Sequence, residues 1–453
     1  MIDKSKIPDE ALYVLDKLKD NGYDTFLVGG CVRDLCLNRE PKDYDICTNA
    51  YPDDVMAIFE PTHNVIPTGL KHGTVTLIAD NFYIKNALKI PIEVTTFRSD
   101  GNYTDNRRPD SVKFGVSIEE DVLRRDFTIN GLLFDGEKIV DYVGGLYDLN
   151  MGIIRAIGGV YSRYSEDALR MMRCIRFSCQ LDFKIDNDTF ECIEECSILI
   201  KNVSQERIRD ELVKILLSDR PAEGIRLLSK SGLLQYILPE LEACVGFDQH
   251  NKHHRKNVFD HILKVLDSTP SVLNVRLSAL FHDISKPETF TIGEDGIGHF
   301  YGHHKVGADK TREIMKRLKF DNETIDNVCI LVYEHMSRFP KLREGSVKKL
   351  LKRLGEQNVD DLINLQIADI VGSKPPYDFE DVILLKNELK RIIETKEPIS
   401  VKQLAVNGYD LIELGIKPGK RMGEILNELV QIVMDNPNTN NKECLLEIVR
   451  WEF

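Results

Sequence analysis

The sequence has no long apolar run: nowhere along its 453 residues is there a stretch of about 18 apolar residues, which a membrane-spanning helix requires. Its opening stretch, MIDKSKIPDEALYVLDKL, also lacks the apolar centre of a secretory signal peptide. These absences exclude a helical membrane protein. We therefore expect a cytoplasmic protein that has no membrane partner.

Paired cysteine motifs are absent as well. The ten cysteines form no C-x-x-C pair and lie within apolar patterns, as reduced core thiols do. They are Cys31, Cys36, Cys47, Cys174, Cys179, Cys192, Cys196, Cys244, Cys329 and Cys444. The sequence therefore predicts neither a disulfide framework nor a zinc-thiolate site.

An excess of positive charge is also missing. The chain has 60 Lys and Arg residues against 73 Asp and Glu residues, a formal net charge of -13 at pH 7. This balance excludes a protein that coats nucleic acid through bulk charge, although it leaves a local basic groove open. With 42% hydrophobic residues and no internal repeat, the chain has the composition of a globular enzyme. Its length predicts roughly two to four packed units.

The N-terminal third mixes helix and strand signals. The segment IPDEALYVLDKLKDNGYD predicts a helix that ends at Asn21 and Gly22. The next segment, TFLVGGCVRDLCL, predicts a strand, a glycine turn and a helix, which is the order found in phosphate-binding loops. KDYDICTN, HGTVTLIA and IEVTTFRS read as strands.

From about Tyr161 onward the apolar spacing becomes helical, and no strand signal interrupts the successive candidate helices EDALRMMRCIRFSCQL, ERIRDELVKILLS and AEGIRLLSKSGLLQYILPEL. We predict a multidomain α+β protein made of an α/β head (1–155), an all-helical body (156–245), a histidine-rich domain (246–385) and a helical tail (386–453). In the tail, GIKPGKRMG is locally basic. It suits contact with RNA phosphates and equally suits simple closure of the helical body.

Two aspartates follow the glycine turn. Asp43 and Asp45 are two residues apart on a predicted strand, so both carboxylates face the same side. Such a pair can hold Mg²⁺ for phosphoryl transfer, although D-x-D alone is common on strands that face solvent. Upstream, Gly29 and Gly30 allow close approach of a triphosphate, and Arg33 can pair with its oxygens.

The run VGGCVRDLCLNREPKDYDI resembles the signature of class II tRNA nucleotidyltransferases, the CCA-adding enzymes and their poly(A) polymerase relatives. The resemblance continues in the family's order through HGTVTLI, EVTTFRSDGNYTDNRRPDSVKF, RRDFTINGLLFD, DYVGGLYDL, EDALRMMRCIRF and ERIRDEL. It spans roughly residues 24 to 215 and implies a polymerase-beta-type nucleotidyltransferase head. Three departures, at Asn38, Gly131 and Tyr142, remove no chemical group, and Asn tolerates a left-handed turn.

The resemblance implies template-independent addition of CCA to the 3′ end of tRNA, with tRNA, CTP and ATP as partners. It implies that Asp43 and Asp45 are the catalytic residues and hold Mg²⁺. It implies a nucleotide-binding role for Gly30, Arg33, Arg125, Asn130, Asp167, Arg170, Arg173 and Arg176. The neighbouring hypothesis is an enzyme that uses ATP only, either an A-adding enzyme or a poly(A) polymerase.

Asp167 and Arg170, three residues apart, are predicted to share a helix face. Cytosine and adenine each present an amine donor beside a ring-nitrogen acceptor, which a carboxylate and a guanidinium can read; uracil and guanine present the opposite pattern. The alternative is a solvated ion pair. Glu93 is either a third carboxylate beside the aspartate pair or a simple strand residue. The polar loop RSDGNYTDNRRPD favours full CCA addition, because relatives restricted to adding C tend to lack it.

Nine of the eleven histidines fall between His250 and His335. Their arrangement resembles an HD-type metal-dependent phosphohydrolase, and this resemblance implies a metal site made of His261, His282, Asp283, His303, His335 and Asp369. Such ligands suit Mn²⁺, Fe²⁺, Ni²⁺ or Zn²⁺ and hydrolysis of a phosphoester. The alternatives are a retained fold without metal, and a chain that is chiefly an HD phosphohydrolase with an RNA-binding head.

Overall fold

The computed structural model describes residues 2–79, 90–101, 110–248, 257–294, 297–338 and 344–453. The chain forms two compact units, Met1–Ile237 and Leu238–Phe453. The α+β prediction is confirmed, because a mixed sheet in the first unit is followed by helices. The finer division into four domains stays a prediction.

The first unit contains eleven strands and eleven α-helices among its described residues. The strands are β1 (Thr25–Val28), β2 (Tyr44–Thr48), β3 (His63–Gly69), β4 (Thr74–Ala79), β5 (Pro91–Thr96), β6 (Arg98–Asp100), β7 (Val112–Phe114), β8 (Leu133–Phe134), β9 (Ile139–Val140), β10 (Ile153–Ile154) and β11 (Lys184–Ile185). The helices are α1 (Asp9–Asp20), α2 (Gly30–Cys36), α3 (Pro52–Phe59), α4 (Ile118–Leu123), α5 (Gly145–Met151), α6 (Val160–Glu166), α7 (Leu169–Leu181), α8 (Asn187–Cys196), α9 (Gln205–Leu216), α10 (Pro221–Lys230) and α11 (Leu234–Ile237).

Seven strands form the main sheet in the order β3-β4-β5-β2-β1-β8-β9. The β2–β5 pair is parallel, and the other pairs are antiparallel. The sheet core holds Leu27, Ile46 and Leu77, all without exposed surface. Each such side chain contributes about 1.5–3 kcal/mol to folding. The sheet is therefore a stable platform for residues at its strand ends.

Helix α1 packs with one apolar face buried. Ala11, Val14, Leu15 and Leu18 recur at helical spacing and are fully buried. The helix ends at Asp20 with Asn21 as its cap, and Gly22 follows with a φ of 86°. The predicted helix and its end are confirmed.

Two predictions about local structure are corrected. The body predicted to be all-helical contains a two-residue strand, β11, which pairs with β10 of the head. The predicted shared helix face of Asp167 and Arg170 is wrong, because α6 ends at Glu166 and α7 begins at Leu169. Asp167 has an extended backbone, with φ -143° and ψ 100°, and its carboxylate accepts the N–H of Leu169 at 3.1 Å. Its side chain therefore satisfies one backbone N–H in the first turn of the helix that carries Arg170.

The second unit is mainly helical. Its α-helices are α12 (Pro239–Glu242), α13 (Val258–Asp267), α14 (Leu273–Phe281), α15 (His303–Arg317), α16 (Asn322–Glu334), α17 (Glu344–Leu354), α18 (Val359–Gly372), α19 (Glu380–Glu394), α20 (Gly408–Glu413), α21 (Lys420–Asp435) and α22 (Lys442–Glu452). Two short strands, β12 (Thr291–Ile292) and β13 (Gly298–His299), form a ribbon. The last helices share a core of their own around Leu411, Leu429, Val433 and Leu445.

All ten cysteines are free thiols in this structure, and eight of them are buried. Among the described residues, no helix combines the length and apolar character that a bilayer crossing demands. Asn38 lies just after α2 with a φ of 55°. The expectation that this residue tolerates a left-handed turn is therefore confirmed.

Candidate active site and metal centre

A cleft of about 540 Å³ opens in the first unit, within the size range of small-molecule sites. Seven arginines and one lysine line it against four aspartates, so it offers an excess of positive charge to an anion. The lining residues are Gly29, Gly30, Arg33, Asp43, Asp45, Arg124, Arg125, Asp126, Asn130, Asp167, Leu169, Arg170, Arg173, Arg176, Phe177, Arg207 and Lys214. The eight residues predicted to bind the nucleotide and the two aspartates predicted to hold Mg²⁺ are all among them.

Acidic residues converge at one end of strand β2. Asp45 is within β2, and Asp43 lies just before it. The parallel register places Glu93 of β5 opposite Asp45, on the same face of the sheet. Burial raises the pKa of Asp45 to about 6, and the negative charges of Asp43 and Glu93 add to this effect. Because carboxylates crowd here, the site suits a divalent cation.

The glycine turn leads from β1 into α2. Gly29 has a φ of 80°, a conformation that favours glycine, and Gly30 begins the helix. From the same helix, Arg33 donates to the Asn130 side-chain oxygen at 2.7 Å and to Asp34 at 2.9 Å. The turn thus fixes an arginine against the wall of the cleft.

Asp126 ties two sides of the cleft together. It accepts hydrogen bonds from Arg173 at 2.9 and 2.6 Å and from Asn130 at 3.1 Å. Burial alone would raise the pKa of Asp126, but the charge of Arg173 and these hydrogen bonds bring it down to about 2. Asn130 in turn holds Arg33, so one buried carboxylate positions two arginines.

Arg125 is held by Asp121, with Nη2 2.9 Å from Oδ2. Its Nε is buried and has no hydrogen-bond partner among the described residues. A buried N–H without a partner is costly, so this donor is a local expense of holding Arg125 in the wall of the cleft.

Phe177 packs against three arginines of the cleft. Its ring centroid lies 5.0 Å from the guanidinium carbon of Arg33, 5.5 Å from that of Arg173 and 4.1 Å from that of Arg176. Burial lowers the pKa of Arg176 to about 10, although its ion pair with Glu211 at 2.9 Å opposes this change. The π face offsets part of the repulsion between these cations.

Asp167 and Arg170 have separate partners. Arg207 donates to both carboxylate oxygens of Asp167, at 3.1 and 2.7 Å. Arg170 donates to Glu166 at 2.6 Å and to the backbone carbonyl of Arg124 at 3.2 Å. Asp167 and Arg170 therefore do not form the ion pair that was the alternative prediction.

Sequence reasoning missed several residues of this cleft. Asp126 lies in RRDFTINGLLFD, Arg207 lies in ERIRDEL, and Phe177 directly follows Arg176. Their types gave no signal, because their role depends on partners distant in sequence. Residues 102–109 of the predicted polar loop lie outside the described residues; its flanks pair as β6 and β7.

The second unit brings the six predicted HD residues into one cluster. His261 Nε2 lies 3.4 Å from Asp283 and 3.2 Å from Asp369, and His282 Nε2 lies 3.2 Å from Asp283. On the other side of Asp283, His303 Nε2 is 3.4 Å away and His335 Nε2 is 4.0 Å away. Two groups of three potential ligands thus share the Asp283 carboxylate.

Three of the imidazoles are oriented by the backbone carbonyl that lies three residues earlier in the chain. Nδ1 of His282 lies 2.8 Å from the carbonyl oxygen of Ala279, and Nδ1 of His335 lies 2.7 Å from that of Val332. Nδ1 of His303 lies 2.8 Å from the carbonyl oxygen of Phe300. This arrangement leaves each Nε2 for the cluster, as metal-binding histidines require.

Charged and neutral groups surround the cluster. Burial lowers the pKa of His335 to about 3, which keeps the ring neutral. Lys286 is 2.6 Å from Asp283, and Arg338 is 2.5 Å from Asp369. A cleft of about 380 Å³ lies over these groups. Buried imidazoles and carboxylates at these distances fit a transition metal.

Family models match three segments of the chain. The Poly A polymerase head domain matches residues 25–155. The probable RNA and SrmB-binding site of polymerase A matches residues 182–245. A domain described as tRNA nucleotidyltransferase domain 2, putative, matches residues 291–449. The HD assignment stays a prediction, since none of these descriptions names it.

Individual relatives match almost the whole chain. The CCA-adding enzyme of Ligilactobacillus salivarius is 34% identical over 447 residues, which cover 97% of this chain and 96% of the relative. That of Pediococcus pentosaceus is 33% identical over 447 residues, with 97% of both chains covered. The crystal structure of the Bacillus stearothermophilus CCA-adding enzyme in complex with CTP superposes with a TM-score of 0.72 at 28% identity, covering 97% of both chains.

Proposed function

This chain belongs to the CCA-adding enzyme family of tRNA nucleotidyltransferases, and we propose that it adds C, C and A in turn to the 3′ end of tRNA without a template. The substrates are CTP, ATP and tRNA, and each addition releases pyrophosphate. The observation that supports the proposal best is one cleft that combines two neighbouring carboxylates, an arginine-rich wall and the side chains of Asp167 and Arg170. The protein acts where its tRNA substrate is, in the cytoplasm.

Asp43 and Asp45, with Glu93 beside them, would hold divalent ions, and Mg²⁺ suits such oxygen ligands. When bound, the ions supply activation of the tRNA 3′-hydroxyl and neutralisation of the departing pyrophosphate. The pKa of Asp45, raised to about 6, reflects burial and crowding with Asp43 and Glu93 that a cation would relieve.

The arginine wall positions the triphosphate. Arg33, Arg125, Arg173 and Arg176 supply guanidinium donors, and the turn at Gly30 allows close approach of the phosphates. The 3′-oxygen of tRNA forms a bond to the α-phosphorus, and the bond between that phosphorus and the bridging oxygen breaks. The wall then neutralises the charge that develops on pyrophosphate.

Asp167 and Arg170 select the base. The Asp167 carboxylate accepts a hydrogen bond from the exocyclic amine of cytosine or adenine, and Arg170 donates to the adjacent ring nitrogen. Uracil would place a carbonyl against the carboxylate and an N–H against the guanidinium. Both contacts would be mismatched, so UTP and GTP are rejected.

The test uses tRNA transcripts that end at the discriminator base, at C or at CC, each incubated with CTP, with ATP and with both. We expect C addition to the first two substrates and A addition to the third. Absence of C addition to the first substrate would refute CCA addition, and A addition to the CC-ended tRNA alone would select an A-adding enzyme. Asp45→Ala should abolish every addition, whereas Asp188→Ala, an exposed aspartate outside the cleft, should not.

A second activity is favoured by the histidine cluster. Two groups of three ligands that share Asp283 suit a bound transition metal and metal-dependent hydrolysis of a phosphoester. Lys286 and Arg338 stand beside the carboxylates at a cleft and could contact a phosphate. The substrates we propose are damaged RNA ends or cyclic phosphates.

The test of this second activity is metal analysis of the purified protein, followed by hydrolysis assays in an Asp45→Ala background. His303→Ala removes a member of the cluster, and His304→Ala changes its neighbour, which lies between His303 and Tyr333 and is not one of the potential ligands. We expect metal and turnover to be lost in the first variant only. Neither metal nor hydrolysis in the parent protein would refute the activity.

A further inference from the structure

The two proposed base-reading side chains do not pair with each other, although both line the same cleft. Arg207 donates two parallel hydrogen bonds to the Asp167 carboxylate, from Nη1 to Oδ1 at 3.1 Å and from Nη2 to Oδ2 at 2.7 Å. Arg170 Nη1 donates to Glu166 at 2.6 Å. Each base-reading residue thus has a partner of opposite charge that keeps it from the other.

A direct pair between Asp167 and Arg170 would remove the groups that a base must meet. The exocyclic amine needs a carboxylate oxygen with spare acceptor capacity, and the ring nitrogen needs a guanidinium N–H. Arg207 takes one acceptor position on each oxygen, and the N–H of Leu169 takes a second one on Oδ1 at 3.1 Å. Acceptor capacity therefore remains on Oδ2.

The orientation of the carboxylate also depends on Arg207. The terminal torsion of an aspartate is soft, so a lone carboxylate samples many planes. A guanidinium that binds both oxygens fixes that plane. Arg207 belongs to α9, 40 residues from Asp167 in sequence, and its side chain lines the same cleft. A separate helix thus holds the carboxylate in place.

We propose that Arg207 is a positioning residue for base selection, which holds the Asp167 carboxylate away from Arg170 and in the plane that accepts the amine of cytosine or adenine. This inference rests on the proposed function and deepens it. Without Arg207, Asp167 turns to Arg170, and both groups are lost to the incoming base. The enzyme then discriminates less strongly against uracil and guanine.

The experiment measures kcat and KM for CTP and UTP on tRNA ending at the discriminator, and for ATP and GTP on CC-ended tRNA. Arg207→Met removes the donors and keeps the side-chain length. We expect KM for CTP and ATP to rise, and the CTP/UTP and ATP/GTP ratios of kcat/KM to fall by about tenfold or more. KM for tRNA should not change. Arg209→Met, on the same helix but paired with Asp210, should keep wild-type ratios.

Slower addition of all four nucleotides at wild-type ratios would mean that Arg207 is merely structural and would overturn the inference. Should Arg207→Met fail to fold, Arg207→Lys provides the same test, because a lysine keeps the charge but not the two-point contact. An unchanged ratio in that variant would count equally against the inference. A wild-type protein that adds no nucleotide would instead overturn the proposed function, so the two failures are distinguishable.

Discussion

Replacing Asp126 with asparagine tests whether its buried charge holds the wall of the cleft. The carboxylate accepts two hydrogen bonds from Arg173 and one from Asn130, which itself binds Arg33. Asparagine keeps the shape but removes the charge, so the Arg173 guanidinium loses its anionic partner. We expect losses in both stability and triphosphate binding.

The magnitude follows from the pKa of Asp126. Burial opposes ionisation, but Arg173 and the hydrogen bonds lower the pKa from 3.8 to about 2. At about 1.4 kcal/mol per pKa unit, this shift corresponds to roughly 2–3 kcal/mol of folding free energy at neutral pH. Because the folded pKa is depressed, the contribution is present above about pH 4 and is lost as the pH falls towards 2. About half of it should remain at pH 3.

The assay measures the free energy of unfolding of wild type and Asp126→Asn in urea, with circular dichroism as the signal, at several pH values from 7 to 3. Other carboxylates titrate in both proteins, so the difference between the two isolates Asp126. Asp188→Asn, at an exposed position, should cost less than about 1 kcal/mol. A difference between wild type and Asp126→Asn that stays constant down to pH 3 would refute the reasoning.

Three further outcomes are expected. Phe177→Leu should raise KM for CTP by about tenfold, since three cation–π contacts of roughly 0.5 kcal/mol each are lost. Phe177→Tyr should keep the wild-type KM. Equal KM values for wild type and Phe177→Leu in steady-state assays would contradict a contribution of the Phe177 ring to triphosphate binding. Glu93→Gln should raise the Mg²⁺ concentration needed for half-maximal addition, because a carboxylate beside Asp45 is lost, and an unchanged Mg²⁺ titration would leave Glu93 as a simple strand residue. The free energy of unfolding, measured in urea, should be about 1 kcal/mol lower for Asn38→Ala than for Asn38→Gly, because the backbone at this position is left-handed. Equal unfolding midpoints for the two variants would argue against strain.

Much of the head could be predicted because its signals are local. The glycine turn and the neighbouring strand and helix are determined by residues close together in sequence, and they appear as β1, Gly29 and α2. The ion pairs that hold the cleft are not local. Asp126 and Arg173 are 47 residues apart, and Asp167 and Arg207 are 40 residues apart. Their partnership depends on how helices pack, which a single sequence does not reveal.

The break between α6 and α7 at Asp167 is not visible in the apolar spacing. EDALRMMR continues the apolar spacing across the junction, so periodicity alone merges α6 and α7. In the structure, Asp167 instead has an extended backbone between the two helices, and its side chain accepts the N–H of Leu169. Glu93 presented a different difficulty, because only the parallel register of β2 and β5 brings it beside Asp45.

The central claim is tested most directly by supplying all four nucleoside triphosphates together to a tRNA that ends at the discriminator base, and then sequencing the 3′ ends of the products. The account predicts C, C and A in that order, followed by a stop, with U and G absent. A product extended only by A, a run of many A residues, or no extension would contradict it.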